Sequence, residues 1–400
     1  MRRILIAQGG GPTAVINETL VGIVLKSVLS GAQVIYGARH GAVGILKEEL
    51  VNLTNVPVEE LERIAATPSA ALGSTRSKPD EESCREIFRV LQAHGITHFF
   101  DIGGDGTADR LRIVGDEARR ANYQLSCVHV PKTVDNDLMG NHFTPGYPSG
   151  ARFVALAFTG INLDNIAIPG IHVVVVMGRH AGFLTAASAL ARSNPDDGPH
   201  LIYLPERTFI LDRFLEDVRR VYDRHGRCVI AVSEGIHDAS GIPLAATIGS
   251  GSTHEKDTHG NTPLSGTGAL GDFLCKQIKK AGVKRVRADT LGYPQRSFLG
   301  CVSELDRRIA REVGQAAVGF ALSQAGDMSI IIRQSQGGIG YGFVQPDVVA
   351  AKTRVMADEF IATSGTDVTQ AFIGYVRPLV GDLPNVHRLL APSVEKILKM

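Results

Sequence analysis

The sequence predicts an α/β protein of two Rossmann-like, three-layer lobes with parallel sheets, and three observations predict it. Apolar, β-branched runs alternate with longer amphipathic stretches over most of the length, which is the rhythm of βαβ units whose sheet is covered on both faces. The chain has 400 residues, more than one hydrophobic core organises, so two lobes of roughly 150 to 200 residues with a cleft between them are expected. Several apolar runs end in Gly, Glu or Lys within two or three residues, at the carboxyl end where open α/β sheets bind ligands.

Taken in order, Arg3 to Ala7 reads as a first buried strand, because its apolar run is too short for the core of a signal peptide. A glycine cluster follows, and Ala14 to Ser27 reads as a helix. Further strands are expected at Thr97 to Ile102, Ser126 to Val130, His172 to Val176, Arg227 to Val232 and Met328 to Ile332. The segment Gly249 to Gly266, dense in Gly, Ser, Thr and His, reads as a surface loop. Its His254 and His259 lack a carboxylate or Cys at metal-ligand spacing.

Composition excludes several classes. Hydrophobic residues at 44% and charged residues at 21% are ordinary for a globular enzyme, and 44 glycines point to tight turns or backbone brought close to a ligand. With 42 basic and 41 acidic residues the net charge is +1, and no Lys/Arg block marks a nucleic-acid footprint. No stretch approaches the ~20 apolar residues of a membrane span. Five scattered cysteines without paired spacing fit a reduced compartment, so a soluble, cytoplasmic protein is expected.

Four loops concentrate chemistry. Gly9-Gly10-Gly11-Pro12-Thr13, between strand and helix, lets backbone N–H groups face an anion. After Thr97 to Ile102 comes Gly103-Gly104-Asp105-Gly106-Thr107, where glycines again allow close approach and Asp105 offers a hard oxygen to Mg²⁺. Two such cradles suggest a polyphosphate. Between them Arg76 and Lys78, in Gly73-Ser74-Thr75-Arg76-Ser77-Lys78, would neutralise it. Ser126 to Val130 then empties into Pro131-Lys132-Thr133-Val134-Asp135-Asn136-Asp137. That loop combines one cation, one hydroxyl and two carboxylates, the set a kinase acting on an alcohol needs for proton acceptance, metal binding and charge stabilisation.

With these loops in hand the chain resembles the phosphofructokinase family, collinearly over nearly its whole length. The quoted loops are similar to the family's glycine-rich start, arginine loop, GGDGT loop and T-x-D-N-D loop. Met177-Gly178-Arg179, Ser233-Glu234-Gly235 and Leu291-Gly292-Tyr293-Pro294-Gln295-Arg296 are similar to its sugar-phosphate loops. The resemblance implies a 6-phosphofructokinase of glycolysis that needs Mg²⁺ and phosphorylates the 1-hydroxyl of fructose 6-phosphate. It implies Asp135 as general base, with Lys132, Thr133 and Arg179 beside the reacting groups, and Asp105 on the metal. Gly10, Gly11, Arg76, Lys78, Gly104, Gly106 and Thr107 fall to the donor; Thr133, Asp135, Met177, Gly178, Arg179, Glu234, Tyr293 and Arg296 fall to the sugar phosphate. Arg287 is similar to an arginine donated across a subunit interface, in a homodimer or homotetramer.

The same resemblance divides the chain into a donor and Mg²⁺ lobe (1–146 plus about 297–345), a fructose 6-phosphate lobe (147–296) and a C-terminal helical segment (346–400) packed on both. Pyrophosphate-using members usually carry an aspartate at the place of Gly106, whereas Lys132 resembles their lysine beside the transferred phosphate. Members that combine this glycine and this lysine resemble ATP users, so ATP is the expected donor and pyrophosphate the alternative. NAD-kinase-like enzymes share the GGDGT loop but do not account for Thr133 to Asp137 together with the sugar-phosphate loops. A sugar-phosphate sensor would have lost Asp105 or Asp135.

Overall fold

The computed structural model describes residues 2–77, 79–248, 268–324, 326–335, 337–389, 391–395 and 397; Lys78 and the predicted loop 249–266, with His254 and His259, lie outside the described residues. The strands are β1 (Arg3–Gln8), β2 (Val34–Ala38), β3 (Leu50–Asn52), β4 (His98–Gly103), β5 (Ser126–Pro131), β6 (Ile171–Val176), β7 (Leu201–Tyr203), β8 (Cys228–Ser233), β9 (Val286–Thr290), β10 (Met328–Ser335) and β11 (Gly338–Val344). Every strand read from the sequence is present within a residue or so, except that β10 runs three residues longer. β3 and β7 are only three residues long, and β2, β9 and the half-exposed β11 are interrupted by glycine or charged residues, so none announces itself.

These strands form two sheets. The larger has seven strands in the order β11-β10-β5-β4-β1-β2-β3, and the smaller has four in the order β7-β8-β6-β9. Pairing is parallel throughout the smaller sheet and in the centre of the larger one, with antiparallel partners only at its edges. The period of two along each strand explains the layers. In β1, Ile4 and Ile6 face a core shared with the helices Ile16–Leu29 and Glu304–Ser323, whereas Leu5 and Ala7 face a second core under the helices Glu81–Ala93 and Asp105–Arg120. In β6, Val174 and Val176 join the first core, while Val173 and Val175 pack beneath the helices Leu211–His225 and Ala269–Lys280. The first core therefore runs through both lobes.

Register brings the site loops together. Gln8 pairs with Ile102 and Gly103 with Pro131, so β1, β4 and β5 release their loops side by side. In the smaller sheet Val176 pairs with Ser233 and Val175 with Thr290, which aligns the loops after β6, β8 and β9 in the same way.

The helix Tyr147–Ala167 packs on β6, β8 and the helix Glu304–Ser323, and its N-terminus is capped by a side chain from far along the chain. Asp306, fully buried, accepts from the Gly146 N–H at 2.9 Å, the Ser149 N–H at 3.1 Å and the Ser149 hydroxyl at 2.6 Å. Burial pushes its carboxyl up to about 6 despite these bonds. Asp306→Ala would strand three buried donors at a helix terminus, and the expected loss is about 2–4 kcal/mol. A lowered thermal midpoint checks it; an unchanged midpoint would deny the cap a stabilising role.

Among its described residues, the segment expected to be helical from Pro346 onward contains a single α-helix, Gln370–Val380, and two short 3₁₀ turns, Pro346–Val348 and Asp358–Phe360. The stretch 351–357 runs without helix along the cleft, because its backbone bonds go to other parts of the chain rather than to itself.

Candidate active site

The first glycine cradle begins where β1 ends. Gly10 takes φ +75°, which a side chain would resist, and a Cβ there would lie 3.1 Å from the Lys132 ammonium. At Gly11 a Cβ would lie 3.2 Å from the Arg296 guanidinium carbon and 3.3 Å from Arg76. The glycines thus let three cations crowd against bare backbone. Loop 73–76 is tied to the cradle by the Ser74 hydroxyl donating to Gly10 O at 2.6 Å and by Gly10 N–H donating to Thr75 O at 2.9 Å. Gly104 precedes the first turn of the helix Asp105–Arg120, and a Cβ on Gly104 or Gly106 would meet nothing within 4 Å. Thr107 turns inward under Gly9, 5% exposed. Asp105 is the first residue of this helix and is half-buried.

The loop after β5 sits between cradle and cleft. Lys132, 2% exposed, donates from Nζ to Gly11 O at 2.7 Å. Burial, with Arg296 and Arg76 nearby, brings its ammonium down to about 7, so it holds its proton only loosely without an anion at hand. Thr133 Oγ1 accepts from the Asp135 N–H at 3.2 Å and fixes the turn. Burial raises Asp135, while Arg296, Arg76, Lys132 and Arg179 pull it back toward the charged form. Its Oδ1 is buried and has no hydrogen-bond partner among the described residues. A protein tolerates such an orphan where a ligand completes it. Asp137 is pushed up to about 7 by burial and by the negative charges of Asp135 and Asp105.

The facing lobe supplies the rest. Gly178 adopts φ +138°, where a Cβ would lie 2.6 Å from Ala181 O, so this turn admits only glycine. Ser233 Oγ donates to Gly178 O at 2.6 Å, and Glu234 Oε1 accepts the Gly178 N–H at 3.4 Å. Arg179 reaches the region of Asp135, whose charge it steadies. Met177 contributes backbone rather than side chain: its N–H donates to Gln295 Oε1 at 3.3 Å, and its thioether is packed in the core at 2% exposure. Gln295 in turn donates to Gly292 O at 2.7 Å within its own loop, so this side chain ties the loop after β9 to the loop after β6. Arg296 lies over the half-exposed Tyr293 ring, 4.8 Å from its centroid, and its buried Nε has no partner among the described residues.

One expected residue stands apart within this chain. Arg287 lies early in β9, opposite His172, and is ion-paired with Asp164 of the helix Tyr147–Ala167, away from the strand ends that hold the cluster. Sequence reasoning assigned no role to Asp137, though its loop was singled out for two carboxylates; the signal was there. Glu206, Arg354 and Tyr375 gave none, since each reaches the site loops from far along the chain.

Among the described residues no three His, Cys, Asp or Glu side chains group into a closed metal site. A Mg²⁺ ion shared with phosphate oxygens needs only one or two protein carboxylates. Asp105 and Asp137, within reach of each other's charge, and the orphaned Asp135 oxygen fit that requirement.

A two-lobed α/β fold that gathers glycine cradles, buried cations and paired carboxylates at one cleft defines a protein built to handle phosphate groups. Residues 3–321 match the family Phosphofructokinase, and the chain belongs to that family. It is 55% identical to a pyrophosphate–fructose 6-phosphate 1-phosphotransferase of Rhodospirillum rubrum, over 99% of this chain and 98% of that protein. It is also 32% identical to a sulfofructose kinase of Alkalicoccus urumqiensis over 82% of each. Among solved structures it resembles a pyrophosphate-dependent phosphofructokinase of Marinobacter aquaeolei, with a TM-score of 0.83, 29% identity and coverage of 100% of this chain and 99% of that one. All five cysteines are buried free thiols, and no helix among the described residues is long and apolar enough to cross a membrane.

Proposed function

We propose that this chain is a pyrophosphate-dependent fructose 6-phosphate 1-phosphotransferase. The observation behind this is the placement of Lys132, a buried ammonium between the Gly10–Gly11 cradle and the Asp135 carboxylate, flanked by Arg76 and Arg296. In the reaction the 1-hydroxyl oxygen of fructose 6-phosphate attacks one phosphorus of pyrophosphate, the bridging P–O bond breaks, and orthophosphate leaves. Asp135 accepts the hydroxyl proton, and Lys132 with the two arginines offsets charge on the transferred group. Arg179, Glu234, Tyr293 and Arg296 hold the sugar phosphate, with Met177 and Gly178 supplying backbone. Asp105, with Asp137, would hold Mg²⁺, which when bound screens phosphate charge. The larger-sheet lobe then serves the donor and the smaller-sheet lobe the sugar phosphate. A cytoplasmic homo-oligomer with Arg287 at its interface completes the reading.

The relatives' names favour pyrophosphate over the ATP expected from the sequence. ATP remains a second reading because the space around Gly106 is open. A donor panel with fructose 6-phosphate and magnesium decides. Pyrophosphate is expected to give the larger kcat/KM, and equal or better turnover with ATP would reverse the assignment. Gly106→Asp is expected to weaken ATP use more than pyrophosphate use; equal losses would show that this position does not gate nucleotide entry.

A further inference from the structure

We infer that the segment Thr353–Met356, outside the stretch that matches the family, is a strap that sets the spacing between the proton-accepting loop and the sugar-phosphate loop, with Arg354 as its positioning residue. The inference rests on the phosphotransferase reading for its catalytic meaning and on geometry for the rest. Thr353 bridges to Leu138, and the Arg354 N–H donates to Asp137 O at 2.7 Å, so the strap runs directly against the catalytic loop. The Arg354 side chain then does two things at once. Its Nη1 donates to Asn141 O at 2.7 Å and to His142 O at 2.9 Å, just past the catalytic loop. Its guanidinium also lies 4.9 Å from the centre of the Phe183 ring, the first residue of the helix that follows Met177 to Gly182.

Two residues on, a half-buried carboxylate repeats the link. Glu206 Oε1 accepts from the Met356 N–H at 3.0 Å and from the Gly182 N–H at 2.8 Å, joining strap and sugar-phosphate loop through one atom. The Tyr375 hydroxyl accepts from Asn136 Nδ2 at 2.7 Å and donates to His142 O at 2.9 Å, a third contact from the C-terminal segment. Thr353 and Val355 also line a cavity of about 310 Å³ with Arg179, His180, Pro205 and His237, so the strap forms one wall of the cleft. One guanidinium nitrogen serves two carbonyls while the group lies over a ring, and an ammonium reproduces the ring contact only in part.

The test compares the full-length protein with Arg354→Met and Arg354→Lys by steady-state kinetics with both donors and by amide hydrogen exchange. Arg354→Met is expected to lower kcat about 10²-fold with little change in KM, as a misplaced reacting group does, and Arg354→Lys to recover part of that loss. Exchange in Arg354→Met is expected to quicken jointly in 133–144 and 177–183 while the strands keep their protection. Unchanged kcat overturns the proposal, as does faster exchange throughout the molecule, which would mark Arg354 as merely structural. Should the unmodified protein turn over neither donor, the phosphotransferase reading falls. The exchange experiment then judges the strap by itself: joint loosening of the two loops upholds it and no change removes it.

Discussion

Asp135→Asn is expected to reduce kcat by about 10²- to 10⁴-fold, the range for losing a positioned general base, while leaving fructose 6-phosphate binding roughly intact. Asn keeps the shape of the side chain but cannot take the hydroxyl proton. It also removes a negative charge from a site where Arg296, Arg76, Lys132 and Arg179 converge, so phosphate groups lose no attraction. The expected signature is therefore a fall in kcat without a rise in KM, the mark of an interaction made only in the transition state. Near-normal kcat would take Asp135 out of the base role, and the orphaned Oδ1 would then need another explanation.

Lys132→Met is expected to cost about 10²–10³-fold in kcat, the scale for removing one preorganised donor to developing charge, and to change the pH profile as well. The carboxylates of the loop act in their charged form, and burial raises them, Asp137 to about 7. Activity should accordingly fall as pH drops below that value. In the proposed reaction Lys132 acts as the ammonium, which burial and neighbouring arginines bring to about 7, so kcat/KM should also fall as pH rises above it. The two limbs meet in a narrow bell. A bound polyanion stabilises the ammonium, so the alkaline limb of kcat should lie at higher pH than that of kcat/KM. In Lys132→Met the alkaline limb should flatten while the acid limb stays. Persistence of both limbs would assign the alkaline one to another group.

Much of this site is legible in the sequence. Loops that leave strand ends carry their chemistry in consecutive residues, so Gly10–Gly11, Gly103–Thr107 and Lys132–Asp137 announced themselves, and parallel registry then placed them together. The cores of β1, β4, β5, β6 and β8 were equally plain, because a strand buried on both faces is apolar almost throughout. Side chains that act at long range could not be read this way. Glu206 looks like any charge after a strand, and Arg354 like any surface arginine, until the fold brings both against the site loops. Tyr375 belongs to a helix chosen for packing, and only its hydroxyl reveals contact with Asn136. Met177 was placed at the substrate by its motif, yet its side chain serves the core.

The strand β5 passes from the interior into the reacting loop without a single spacer residue, Pro131 being its last member and Lys132 the next. Along it Cys127 belongs to one apolar layer and Val128 and Val130 to the other, while His129 is locked by Nε2 against Gly103 O at 2.9 Å. Sliding this strand by one position would exchange the layers and drag the ammonium and the carboxylates out of alignment together. One register therefore sets both the interior fit of Val128 and Val130 and the alignment of the loop that begins at Lys132.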